Sequence, residues 1–193
     1  MNHVLYGLIA GHRQRSVLGQ MLSEAPPLAT TDVDLLKLQA EGIRALVFDF
    51  DGVLAPHDAA EPVAETQVVL KDALQIFGAD HVYILSNKPS PERLAYFKQN
   101  FPGVVFIGGV RKKPYPDGLE KISSTGNYPT AQIALIDDRL MTGGLACLHA
   151  GSRFVYISKP LVDFAQHPIK ESFFALLRFF EVALSRFAAK GEG

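Results

Sequence analysis

Tryptophan is absent from this 193-residue chain, and cysteine occurs once, at Cys147. One cysteine excludes an intrachain disulfide and any cysteine-rich metal site. Flanked by Ala146 and Leu148, it reads as a small buried apolar residue rather than a reactive thiol. An excess of charge is lacking too: 19 Lys and Arg against 20 Asp and Glu leave a formal net charge of −1. That balance gives no footing for a polyanionic partner, and no nucleic-acid contact is expected. No apolar run approaches the roughly 20 residues a membrane-spanning helix needs. The apolar stretch 4–10 has no basic segment before it and no small-residue cleavage site after it, so a secretory leader is not expected. A cytoplasmic setting follows as the expectation. With 48% hydrophobic and 20% charged residues, the chain has material for one ordinary globular core.

Residues 3–22 read as helical, with a basic cluster at His12, Arg13 and Arg15, until Pro26 and Pro27 break the pattern. Thr31 is a plausible cap for a short helix over 33–40, which Gly42 ends. From there the chain alternates. Apolar, β-rich runs at 45–48, 82–85, 104–107, 133–136 and 154–157 are separated by helix-like stretches near 63–77, 91–99, 116–123 and 140–149. The runs lack apolar/polar alternation, as expected of strands covered by helices on both faces. Strand–helix alternation predicts right-handed βαβ units and a doubly wound parallel α/β sheet. The expected organisation is an N-terminal helical extension over 1–42, a core over 43–160 and a C-terminal amphipathic helix over 161–193.

Open parallel sheets bind ligands beyond the carboxyl ends of their strands, so the polar residues after each run are the ones to read. They are Asp49-Phe50-Asp51-Gly52-Val53, Ser86-Asn87-Lys88, Lys112-Lys113-Pro114 and Asp137-Asp138. Asp49 and Asp51 are two apart on an extended segment, so their carboxylates project to one side. One could act as a nucleophile and the other could move protons. Crowded carboxylates call for a hard divalent cation, and Mg²⁺ with oxygen ligands suits them, with Asp138 or Asp137 completing the site. Ser86 and Lys113 suit phosphoryl oxygens. Gly52 relieves crowding where the backbone turns. Alone, each motif is as well explained by a strand-end turn or a helix cap; in this order, always at strand ends, they argue for a phosphate-handling site.

The same order, Asp49-Phe50-Asp51-Gly52-Val53, Ser86-Asn87, Lys113-Pro114 and Asp137-Asp138, resembles the four motifs of the haloacid dehalogenase (HAD) superfamily over roughly residues 43–158. The resemblance implies a Rossmann-like fold and a Mg²⁺-dependent phosphatase. Asp49 would be the nucleophile that becomes an aspartyl-phosphate and Asp51 the general acid and base. Ser86, Asn87 and Lys113 would bind phosphate, and Mg²⁺ would sit on Asp49, the Asp51 backbone carbonyl and Asp138. Within the superfamily the chain is most similar to subclass IIIA, YqeG-type proteins, which include phosphatidylglycerophosphate phosphatases. The lead-in Gly42-Ile43, the run Leu85-Ser86-Asn87, and Asp138-Arg139-Leu140-Met141-Thr142 carry that likeness, with the tail around Ile169 and Glu181. One departure stands out. Relatives usually follow this Thr with an aspartate, here Gly143, and usually carry glycine where this chain has Asp137, which is expected to replace the missing acid outside the metal.

The segments 54–85 and 88–112 are each too short for a cap domain, so an open site is expected, suited to a bulky substrate such as a lipid head group. The apolar residues Phe173, Phe174, Leu176, Leu177, Phe179, Phe180, Val182 and Phe187 form a helical stripe, with Lys170, Arg178, Glu181 and Arg186 opposite. The favoured expectation is that this stripe packs on the sheet or closes an oligomer; the other is a peripheral membrane contact. His57 is expected as an exposed loop residue, and Arg139 either pairs with the site's charges or is solvated at a helix start. The favoured substrate is phosphatidylglycerophosphate. A soluble nucleotide or sugar phosphate, and an inactive HAD-like interaction module, are the alternatives.

Overall fold

The structure, a computed structural model, describes residues 3–23, 28–86 and 89–190. Every expected strand forms: β1 (Ala45–Phe48), β2 (Val82–Ile84), β3 (Val104–Phe106), β4 (Ile133–Asp137) and β5 (Arg153–Tyr156). All pairings are parallel, in the order β3-β2-β1-β4-β5. Chain order reverses direction across the β1–β4 pair, and a doubly wound sheet opens its crevice at that switch point.

The two faces of the sheet explain the unbroken apolar runs. Leu46 and Phe48 point into one core with Leu70, Ala73 and Phe97. Ala45 and Val47 point into the other with Leu119, Ile122 and Cys147. All four β1 side chains are fully buried, so no polar residue is tolerated on either side. The flanking helices are α3 (Leu35–Ala40), α4 (Ala64–Phe77), α5 (Pro91–Asn100), α6 (Asp117–Gly126) and α7 (Leu145–Ala150). Ser90 caps α5 by accepting from the Arg93 amide at 3.2 Å, with Pro91 at the first helical position.

Three local readings are corrected. The cap of α3 is Asp34, whose carboxylate accepts from Lys37 N at 2.9 Å; Thr31 instead lies within a short 3₁₀ turn. The N-terminal helix is two, α1 (His3–Arg13) and α2 (Arg15–Ser23), broken at Gln14. The stretch before α7 begins as a π-helical turn, Leu140–Gly144.

The last helix, α8 (Pro168–Lys190), packs along α2 and onto that π-helical turn. Its orientation corrects one half of the favoured expectation: the stripe does not pack on the sheet. The buried side carries Glu171, Arg178, Glu181 and Ser185, while Ile169, Phe173, Leu176, Phe179, Phe180 and Leu184 are exposed. Phe179 is 66% exposed. The Phe187 side chain lies outside the described set. Among the described residues, no helix is long and apolar enough to cross a membrane.

Candidate active site

The carboxyl ends of β1 and β4 bring Asp49, Asp137 and Asp138 together, with ligand oxygens all within 4.8 Å of one another. Asp49, Asp51, Lys113 and Asp138 line a cavity of about 150 Å³, joined by His57, Arg139, Thr142 and Phe174. A larger cavity of about 530 Å³ lies far from this chemistry, between α3 and the β5 edge. The small one matters because the charges converge there.

Lys113 is the hub. It is 2% exposed, and its Nζ lies 3.0 Å from Asp49 Oδ1 and 2.5 Å from Asp137 Oδ2. Burial alone would discharge the ammonium, but Asp137 and Asp49 outweigh it and hold its pKa above the ordinary lysine value. Asp137 is fully buried, with Oδ2 on Lys113 and Oδ1 accepting from Arg139 N at 2.9 Å. Burial raises its pKa to about 6, against the opposing pull of Lys113. Burial, then Asp137 and Asp49, push Asp138 up to about 8, despite Arg178 and Arg139 nearby. Acids held this far above the ordinary range mark a site short of positive charge, which a divalent cation with oxygen ligands would supply.

Two glycines make room for these acids. Gly52 has φ +85°, and a Cβ there would stand 2.7 Å from Asp138 Oδ2. A Cβ on Gly143 would stand 2.4 Å from Asp137 Oδ2. The Asp137 carboxylate therefore occupies the space into which a side chain at 143 would project.

Asp51 lines the same cavity but stands outside the trio of close carboxylates, and accepts from Arg93 Nη2 at 3.0 Å. Arg93, only 3% exposed, also reaches Ser86 Oγ from Nη1 at 3.3 Å, and its guanidinium lies 3.5 Å from the centre of the Phe50 ring. It ties the first two strand ends together. Sequence reasoning missed it because a single arginine in the first turn of a helix looks like a solvated face. Asn87 lies outside the described residues, as does Lys88.

The remaining wall comes from α8. Arg178 Nη1 donates to Asp138 Oδ2 at 2.8 Å. Arg139 pairs with Glu181 through Nε at 2.9 Å and through Nη2, and Met141 N donates to the other Glu181 oxygen at 3.3 Å. Phe174 reaches the cavity itself. Arg139 is thus not solvated: its guanidinium pairs with Glu181, while its backbone amide donates to Asp137. His57 is not an exposed loop residue: it is 7% exposed, stacked on Phe174 at 4.0 Å between ring centres, with Nδ1 3.2 Å from both oxygens of Glu171. Nor is the site fully open, because α8 closes one side without a cap domain. The residues 171, 178, 181 and 185 repeat at helical spacing, so this polar stripe was visible in the sequence; its inward orientation was not. Cys147 is buried, and burial raises its thiol pKa, in keeping with an inert core residue.

The family model described as mitochondrial PGP phosphatase matches residues 22–162. No protein of curated function matches the chain. Among solved structures, an uncharacterised protein from Corynebacterium glutamicum is 22% identical, covering 72% of this chain and 96% of its own, with a TM-score of 0.46. The cobalt-bound deoxy-D-mannose-octulosonate 8-phosphate phosphatase of Haemophilus influenzae is 17% identical, covering 73% and 91%, with a TM-score of 0.45. A HAD family enzyme from Bacteroides thetaiotaomicron, in complex with magnesium and inorganic phosphate, is 13% identical over 60% of this chain and 94% of that one, with a TM-score of 0.42.

Proposed function

Because the chain belongs to the mitochondrial PGP phosphatase family of HAD-type hydrolases, we propose that it removes the terminal phosphate of phosphatidylglycerophosphate through a covalent phospho-Asp49. The observation that carries this reading is the convergence of Asp49, Asp51, Lys113 and Asp138 on one small cavity.

Lys113 engages Asp49 Oδ1, so the other carboxylate oxygen is the one that attacks phosphorus. As that bond forms, the bond from phosphorus to the ester oxygen breaks, and Asp51 gives the leaving alcohol a proton. Asp51 then takes a proton from water as the water oxygen attacks phosphorus. Inorganic phosphate leaves, and the Asp49 carboxylate is restored. Asp51 starts protonated: Arg93 holds its Oδ1 at 3.0 Å, which fixes the carboxyl group while the other oxygen carries the proton. Lys113 and Ser86 bind the phosphoryl oxygens, with Asn87 a further candidate from the same strand end. Asp49, Asp138 and the Asp51 carbonyl would hold Mg²⁺, with Asp137 behind them. Mg²⁺ supplies positive charge against the phosphoryl oxygens. The clustered oxygen donors and the raised Asp138 suit that ion. Asp137 standing where a residue at 143 would project argues against an inactive module.

The lipid side of the proposal rests on α8. Its outer row of Ile169, Phe173, Leu176, Phe179, Phe180 and Leu184 is exposed beside the cavity wall. Lys170 and Arg186 flank it, and His12, Arg13 and Arg15 are exposed on the neighbouring N-terminal helices. An apolar row with basic flanks suits an anionic bilayer surface. The test is phosphate release from phosphatidylglycerophosphate in mixed micelles with Mg²⁺, wild type beside Asp49→Asn. Release by the wild type and loss of at least about 10³-fold in the variant are expected. Wild-type turnover confined to soluble nucleotide or sugar phosphates would reject the lipid, and equal turnover by both proteins would reject the nucleophile.

A further inference from the structure

His57 is held in a manner that a loop anchor does not require. Nδ1 is 3.2 Å from both oxygens of Glu171, which has no solvent exposure. Oε1 of Glu171 also accepts from His57 N at 3.3 Å and from Asp163 N at 3.4 Å. An ionised carboxylate only accepts, so the proton of this contact is on Nδ1. The opposite nitrogen, Nε2, makes no hydrogen bond among the described residues. Phe174 stacks on the ring with the two planes 12° apart, and the imidazole borders the cavity that holds Asp49, Asp51 and Lys113. One nitrogen clamped, one face stacked and the other nitrogen without a partner among the described residues make a pre-oriented recognition group in the cavity's wall.

The loop and helix are already joined elsewhere. Lys170 Nζ pairs with both oxygens of Asp58 at 2.5 and 2.6 Å, and backbone amides already satisfy part of Glu171. The imidazole therefore adds something besides anchorage. Lys113 and Asp49 line the cavity from the sheet's side, where the phosphoryl group is expected. His57 and Phe174 approach from the loop and α8, where the alcohol portion of an ester would lie. A hydroxyl both donates and accepts, so it pairs with Nε2 in either protonation state of the ring.

We propose that His57 is a specificity-determining residue that reads the alcohol side of the ester: Nε2 hydrogen-bonds a hydroxyl of a polyol phosphate, and Glu171 is the positioning residue that aims the ring. This rests on the phosphatase reading above and narrows its substrate class to esters bearing a free hydroxyl near the phosphate.

The experiment compares kcat/KM for phosphatidylglycerophosphate, glycerol 3-phosphate and p-nitrophenyl phosphate, whose alcohol carries no such hydroxyl. The proteins are wild type, His57→Ala, His57→Gln and Glu171→Gln, each checked for folding by thermal unfolding. Losing one buried hydrogen bond predicts a fall of about ten- to hundredfold on the polyol esters in His57→Ala, chiefly through KM. The aryl ester should lose at least about fivefold less than the polyol esters, because it never made that hydrogen bond. His57→Gln, which keeps a hydrogen-bonding nitrogen, should recover part of the loss, and Glu171→Gln should fall between. If His57→Ala does not fold, the two glutamine variants carry the test. Equal losses on aryl and polyol esters, or no loss on any, overturn the assignment while leaving the phosphatase intact. A wild type that turns over only the aryl ester overturns it too. A folded wild type silent on all three esters overturns the phosphatase reading and this one with it.

Discussion

Helices α4 and α8 make opposite use of amphipathicity. Helix α4 buries Val69, Leu70 and Ala73 with Thr66 and presents most of its polar side chains to solvent. Helix α8 buries Glu171, Arg178 and Glu181 and turns a row of phenylalanines and leucines outward. Burying apolar area stabilises α4 directly, at about 25 cal/mol per Å². For α8, ion pairs must offset their own desolvation, and they contribute little net stability unless every charge is matched. Helix α8 is held by its packing along α2 and by polar contacts at the active site rather than by the sheet's core. Its apolar face is left available for another surface.

That contrast predicts different responses to single substitutions. Arg178→Leu leaves Asp138 without its ion-pair partner in a buried site and should cost about 3–5 kcal/mol in urea unfolding. Part of that loss should return with Mg²⁺, which supplies the missing charge. Leu70→Ala on α4 should cost about 2–5 kcal/mol, with no return on adding Mg²⁺. Equal Mg²⁺ responses in the two variants would erase the distinction.

The exchange between Asp137 and Gly143 should have a somewhat smaller effect on stability. Gly143→Ala forces a Cβ against the Asp137 carboxylate and should cost about 1–3 kcal/mol. In Asp137→Gly/Gly143→Asp the carboxylate moves to the other side of the same space. Activity should therefore recover in the double variant relative to either single one, as read from phosphate release. Additive losses would mean that the two positions do not share a role.

A pH effect follows from the acid cluster. Asp138 and Asp137 are raised to about 8 and about 6 from 3.8, so between pH 4 and 8 the folded protein binds more protons than the unfolded chain. Stability without metal must then fall as pH rises through that window. Thermal unfolding in EDTA should give a Tm at pH 8 about 2 °C or more below that at pH 5.5. Mg²⁺ should raise Tm more at pH 8, where fewer protons compete for the carboxylates. A Tm that climbs with pH in EDTA would contradict the charge-poor site.

Much of this was legible from residue order. The five strands could be found because β1 and β4 are buried on both faces and run apolar up to Asp137 at the carboxyl end of β4, and the carboxyl-end rule then pointed to Asp49, Asp51, Lys113 and Asp138. What could not be read depended on which side of an element meets the molecule. The spacing of Glu171, Arg178 and Glu181 reveals a polar stripe, but only Asp138, Arg139 and His57, distant in sequence, make it the inner one. His57 was misjudged for the same reason: a histidine in a Pro- and Asp-containing loop is ordinarily wet, and here a helix more than a hundred residues later covers it. Arg93 hid behind a helix start whose cap, Ser90, gave no hint of Asp51. Thr31 reads as the cap, but it lies within a 3₁₀ turn and the helix starts after Asp34, which caps it.

The smallest expected change in stability carries the most direct test of the two-faced helix. Leu176→Ser/Phe179→Ser replaces exposed side chains and should alter unfolding free energy by no more than about 1 kcal/mol. The measurement is phosphate release from phosphatidylglycerophosphate in anionic vesicles, beside release from a soluble phosphomonoester by the same preparations. The account predicts that the double variant loses at least about tenfold on vesicles, from the lost apolar burial, and keeps its soluble-ester rate. Unchanged vesicle activity, or equal loss on both substrates, would contradict a lipid-facing α8.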